Sequence, residues 1–166
     1  MDYICFTDHP FRSKIWKVVH VEPEFEDTPR NSRRFKILPH LFLQDYEYSV
    51  FMDGNYLAKI DITDFVLSGL KEHKMMIYDH NQSSDARDCI YEEYESLLKL
   101  GKKKGFFRDD PEIMKAQIER YKSENYPKNN GLIFSAVLIR RHHDPEVVKI
   151  MENGGWNWKK EARETN

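Results

Sequence analysis

The residues best equipped for chemistry are Asp53, Gly54 and Asn55, placed directly behind the apolar run Tyr48-Ser49-Val50-Phe51-Met52. A short apolar run of this kind reads as a strand, and in open α/β sheets ligands collect at the carboxyl ends of strands. A carboxylate at that place can bind a divalent metal, and the metal can neutralise a diphosphate. Gly54 allows a sharp turn and the close approach of a ligand to the backbone. Asn55 offers a neutral oxygen ligand or a donor to a hydroxyl group. The same tripeptide also reads as a plain turn, because Asp-Gly is a common turn dipeptide.

Three further groups carry chemical potential. Arg30, Arg33, Arg34 and Lys36 lie on or just before a predicted helix, and a spacing of three puts Arg33 and Lys36 on one flank, where they can meet phosphates. They also read as a solvated basic face that balances the acidic loop before it. His80 follows a strand end, with Arg87 and Asp88 beyond a polar loop and Glu92 and Glu93 one turn into the next helix. Carboxylates there can act as a base or bind an acceptor, although acidic residues are favoured near any helix N-terminus. His142 and His143 follow a later strand; one of them can join Asp53 on a metal, since neighbours on extended backbone point opposite ways. The basic run Lys102 to Lys104 reads as a solvated loop and is assigned no role.

The elements that must hold these residues are read from periodicity and turn chemistry. Strands are predicted over residues 3–7, 15–20, 48–52, 75–78 and 132–139. Residues 30–43 form an amphipathic stripe, with Phe35, Leu38 and Phe42 at helical spacing and Pro39 inside it. Helices are also expected over 63–70, over 88–100 with Gly101 as the stop, after Asp110-Pro111, and after Asp144-Pro145. In the helix after Pro111, Ile113, Met114, Gln117, Ile118 and Tyr121 mark the inward face. Strands alternating with helices predict an α/β protein with a mostly parallel sheet flanked by helices. The 166 residues are expected to form a single domain, with a loose polar tail from about residue 154.

Composition narrows the function. Charged residues reach 33%, yet the net charge is only -2, which argues against a nucleic-acid binder. No stretch approaches the roughly 20 apolar residues of a membrane span, and no signal-peptide segment follows Met1. Cys5 and Cys89 sit in apolar-leaning segments and suit free thiols, hence a cytoplasmic setting. Gly-rich phosphate loops, zinc-type cysteine spacing and the Gly-x-Ser-x-Gly elbow are missing, which removes kinase-like, zinc-finger and serine-hydrolase readings.

Taken in order, several pieces resemble one family: Asp2-Tyr3-Ile4-Cys5-Phe6-Thr7-Asp8; Arg30 through Arg33-Arg34-Phe35-Lys36-Ile37-Leu38-Pro39-His40; and Tyr48 to Asp53-Gly54-Asn55. His80 through Arg87-Asp88-Cys89-Ile90-Tyr91-Glu92-Glu93, then Asn130-Gly131-Leu132 and Arg140-Arg141-His142-His143-Asp144, complete the series. The sequence is similar to the TOD/MUCI-type glycosyltransferase-like family, from Asp2 to about Trp158. The resemblance implies a type-A glycosyltransferase (Rossmann-like) fold, with Asp53-Gly54-Asn55 standing where related transferases carry an Asp-x-Asp metal motif. Asp53, Asn55 and His143 would then be metal ligands, for Mn2+ or Mg2+. A single carboxylate holds a divalent ion less tightly than two. Arg33, Lys36, Asn55, His80, Arg87 and Asn130 would face substrate, and Glu92 or Asp88 would serve as base.

The family carries a strand before the segment matching Asp2-Tyr3, and an ending rich in Arg, Asp and Gln after its paired tryptophans. Here Met1 leads straight to Asp2, and Trp156 and Trp158 lead to a charged tail. The expectation is a sheet lacking its usual first strand, in a fragment, a compact version, or a chain completed by a second copy or another partner. The implied function is metal-assisted transfer of a sugar from a nucleoside-diphosphate donor to a glycan, lipid or protein acceptor. Two rivals are a truncated, non-catalytic nucleotide-sugar or glycan-binding module, and a metal-dependent phosphoryl enzyme built from Asp53, Asp79, His80 and His143.

Overall fold

A computed structural model of the protein describes residues 1–26 and 28–154. The expected loose tail, with Trp156 and Trp158, lies outside them. The fold is mixed α/β, and the chain divides into two compact units: Met1–Met76 with the chain from Leu138 onward, and Ile77–Val137.

In the first unit, β1 (Tyr3–Thr7) pairs in parallel with β2 (Trp16–His20), in the register Tyr3↔Trp16 to Thr7↔His20. The helix α1 (Thr28–Ile37) follows. It stops five residues short of Phe42, correcting the helix expected over residues 30–43. The residue before a proline is disfavoured in the helical region, and Pro39 has no N–H to give. Leu38 accordingly leaves the helix at φ -115°, ψ 47°, and Pro39 opens a separate 3-10 turn, Pro39–Leu41. The apolar stripe survives this break. Phe35 stacks on Phe6 with centroids 4.5 Å apart, and Phe42 meets Phe35 at 4.7 Å, so strand and helix share one aromatic cluster.

β3 (Ser49–Met52), α2 (Thr63–Glu72) and β4 (Met75–Asp79) come next. After them the chain runs through α3 (Ile90–Lys104) and α4 (Pro111–Ser123) to β5 (Ile133–Arg140) and α5 (Pro145–Gly154). The second sheet has the order β3-β5-β4 and is antiparallel, correcting the expectation of a mostly parallel sheet. The cause lies in the connection. Two successive helices return the chain beside the end of β4, where the His80 amide donates to the Leu132 carbonyl. β5 must then run backwards, and the Arg141 amide reaches the Lys74 carbonyl at the other end of the ladder.

Gly101 does not stop α3, which continues through Lys102–Lys104 and ends on Gly105 at φ 73°, a left-handed cap. Gly101 has a packing role, since a Cβ there would fall on the Phe107 ring. The lysines expected in a loop occupy instead the last helical turn, where the helix dipole favours cations. Both Asp-Pro starts are as expected: the Asp110 carboxylate accepts the Glu112 amide at 2.8 Å, and Asp144 accepts that of Glu146 at 2.9 Å. The inward face of α4 is narrower than expected, because Ile113 and Gln117 are exposed while Ile118 is buried.

Leu38, Val66, Leu70, Leu138, Ile139 and Val147 form the buried core of the first unit. Arg140 and His142, each only 1% exposed, are buried with them. His142 Nε2 and His143 Nε2 lie 3.0 and 3.3 Å from one acceptor, the Leu43 carbonyl. The expectation that these rings point opposite ways fails because β5 ends at Arg140, and the turn after it lets both reach the same oxygen. A carbonyl only accepts, so His142 carries its proton on Nε2, and its buried Nδ1 is left without a partner.

Burial pushes the His142 pKa below its ordinary value, and His143, Arg140 and His40 push it the same way, against the Leu43 bond. A base depressed in the folded state binds fewer protons there than in the unfolded chain. Its stability contribution is therefore complete above the unfolded value of 6.5 and is lost as pH falls below it. Unfolding free energy is expected to decline on that acid side, by at most about 1.4 kcal/mol per pH unit for one group. His142→Gln should flatten that decline relative to the parent when urea midpoints are followed between neutral and mildly acidic pH.

Candidate functional site

In the first unit, β3 delivers Asp53 at its carboxyl end, where an acid placed by a strand meets a cation placed by a helix. Lys36, in the last turn of α1, sets its Nζ 3.3 Å from Asp53 Oδ1 and 5.0 Å from the centre of the Phe51 ring. The lysine side chain is 17% exposed and that of Asp53 43%, so the pair sits at a rim with the carboxylate facing outward. Arg140, at the end of β5, donates from Nη1 to the Lys36 carbonyl at 2.6 Å. That bond ties the end of the helix to the end of the strand and fixes where Lys36 begins. Burial alone lowers the Arg140 pKa to about 10, so it is a cation at neutral pH. Its Nε has no partner among the described residues.

Arg33 is exposed on α1. Arg34 pairs with Glu24 at 2.6 Å and lies over the Phe42 ring, so part of the basic cluster does balance the acidic loop before it. Asp53-Gly54-Asn55 forms a turn closed by the Tyr56 amide on the Asp53 carbonyl at 2.9 Å, and Asn55 is exposed on it. Gly54 is not in the left-handed region, and a Cβ there would meet nothing within 4 Å. This turn does not require glycine, which leaves open space beside the backbone as its use. Gly54→Ala is expected to keep or slightly raise stability, by about 0.4–1 kcal/mol, through the unfolded chain. A ligand seated against that backbone would be displaced, so thermal melting unchanged or raised, together with weakened ligand binding, is the expected pair of results.

Among the described residues no group of three or more His, Cys, Asp or Glu is placed to hold a metal ion. The phosphoryl-enzyme reading, which needed Asp53, Asp79, His80 and His143 on one ion, has no such cluster to rest on. His143 is exposed and spends its Nε2 on the Leu43 carbonyl.

The second unit gathers the other candidates at the start of α3. Arg87, Cys89, Tyr91, Glu92, Lys128 and Asn129 line an open groove of about 610 Å³. Arg87 donates to Glu93 and pairs with Asp85, both at 2.6 Å, so its charge is answered twice within the protein. Glu92 is exposed in the first turn of the helix, Asp88 is half-buried just before it, and Asn130 is exposed beyond the groove lining. His80 is 7% exposed, edge-on to Phe134 at 5.5 Å, with Ser83 Oγ 3.4 Å from its Nδ1. Cys5 and Cys89 are free thiols, as expected. Burial pushes the Cys89 thiol up, and the backbone N–H groups of Asn129, Glu92 and Tyr91 together outweigh it, holding the thiol below its ordinary value.

Sequence reasoning gave no role to Arg140, Phe51 or Cys89. Arg140 had a legible signal, a cation closing the eight-residue apolar strand β5. The ring beneath Lys36 and the groove around Cys89 depend on contacts distant in sequence, and no local pattern announces them.

The mixed α/β chain thus presents a carboxylate at a strand end with a lysine against it. Residues 5–146 match the family described as TOD1/MUCI70, glycosyltransferase-like domain, and the chain belongs to that family. No curated protein and no solved structure matches it. No helix among the described residues is long and apolar enough to cross a membrane.

Proposed function

We propose that the chain is a glycosyltransferase of type-A fold that moves a sugar from a nucleoside diphosphate to a glycan, lipid or protein acceptor. Family membership and the Asp53–Lys36 pair support this reading, and the pair is the observation that carries it. The leaving diphosphate gains negative charge as the glycosidic bond breaks, so stabilising that charge dominates the barrier. Lys36 supplies a fixed cation beside the turn, held from behind by Arg140, and Arg33 adds charge on the same helix.

The residues present fit a cation that arrives with the donor better than one resident in the protein. Asp53 offers one carboxylate and Asn55 one amide oxygen, and Mg2+-type sites commonly use one or two carboxylates and complete their shell with substrate phosphate and water. Bound there, Mn2+ or Mg2+ would neutralise the diphosphate. Asp53 would hold and orient that ion, Gly54 would leave room for the donor beside the backbone, and Asn55 could also donate to a sugar hydroxyl. Glu92, in the first turn of α3, or Asp88, just before it, is the proposed base.

The test is donor turnover. Wild-type protein with nucleotide-sugars and Mn2+ should release nucleoside diphosphate, and Asp53→Ala should not while still folding. Undiminished release by Asp53→Ala would remove this mechanism, and binding without any release would mark a non-catalytic module instead.

A further inference from the structure

The basic run Lys102-Lys103-Lys104 takes no part in the site described above. In the fold it forms the last turn of α3, and the left-handed Gly105 then reverses the chain into Phe106, Phe107 and Arg108. Every residue from 102 to 110 is exposed. Phe107 packs against Gly101 and keeps 40% of its surface in water, whereas Phe106 is left outside at 61%, with Leu100 exposed at 45% one turn back. Among the described residues no ion pair ties down Lys102, Lys103, Lys104 or Arg108. The nearby acids do not cancel them, because Asp110 is engaged as the cap of α4 and only Asp109 joins it between Lys99 and Pro111.

Large apolar side chains ringed by unpaired cations suit one kind of partner. Anionic headgroups attract the cations, while rings and aliphatic groups enter the boundary between headgroup and acyl chain. A nucleic acid would also attract the charge and stack on a ring. Exposed Leu100 offers no stacking face, and the net charge of -2 gives the whole chain no basic bias. We propose that the α3–α4 junction docks the protein on an anionic lipid surface, with Lys102, Lys103, Lys104 and Arg108 on the headgroups and Phe106 and Leu100 inserted.

The experiment is co-sedimentation of the full chain with phosphatidylcholine vesicles and with vesicles that also contain phosphatidylserine. Binding is expected to the second kind alone and to fall away in concentrated salt, where charge is screened within about 3 Å. Replacing Lys102, Lys103 and Lys104 together by Gln should weaken it on the order of a hundredfold, at about tenfold or less per charge. Phe106→Ser should weaken it too while melting like the parent, because only an exposed side chain changes. The triple Gln variant should stay folded at the assay temperature with a lowered melting point, since each lysine lost from the helix C-terminus costs about 0.3–1 kcal/mol. Equal sedimentation with both vesicle types, unaltered binding by either variant, or retention on polyuridylate with no vesicle binding would each overturn the assignment.

Discussion

Asp53→Asn is expected to reduce donor turnover on the order of a hundredfold to a thousandfold while leaving the fold in place. The substitution keeps the shape and one oxygen of the side chain and deletes only its charge. The fold should tolerate this because the Asp53 side chain is 43% exposed and its ion pair with Lys36 lies at a rim, where such pairs contribute about 1 kcal/mol or less. Chemistry should not tolerate it, because an amide neither anchors a divalent cation as a carboxylate does nor holds the Lys36 ammonium electrostatically. Urea midpoints beside rates of nucleoside-diphosphate release separate the two effects. A variant that loses both equally would make Asp53 a structural residue.

Arg140→Met should behave in a less familiar way, with turnover reduced about a hundredfold and stability shifted by no more than about 2 kcal/mol. Two opposing terms keep the stability change small. The guanidinium is 1% exposed, its Nε is unpartnered, and burial lowers its pKa to about 10, so deleting the charge relieves a desolvation penalty. Against that, the Lys36 carbonyl loses a 2.6 Å donor. The catalytic loss follows because that donor sets where the lysine side chain starts, and a displacement near 1 Å is enough for a large rate effect. In the proposed mechanism Arg140 would act as a positioning residue. Its loss should appear in kcat with KM little changed, whereas a variant that merely loosens the fold would lower the folded fraction and the urea midpoint together.

Much of this was legible from the residues alone because it was local. The apolar runs at β1, β3 and β4, the Asp110-Pro111 and Asp144-Pro145 caps, and the acid behind β3 each rest on neighbours within a few positions. What failed needed tertiary knowledge. Gly101 reads as a helix stop until Phe107 is seen lying on it. β5 reads as one more parallel strand until the returning helices are seen to leave it beside the end of β4. The Asp53–Lys36 pair joins residues 17 apart, and the Arg140 bond behind it joins residues 104 apart. The sequence named both members of the pair, but only the fold shows that they touch.

The most direct measurement is calorimetric titration of nucleoside-diphosphate sugars into wild-type protein and Asp53→Asn, each with and without Mn2+. Binding by the wild type that strengthens with Mn2+, and loses that strengthening in the variant, is the predicted result. Equal Mn2+ dependence in both proteins, or no binding of any nucleotide-sugar to the wild type, would contradict a donor site at the end of β3.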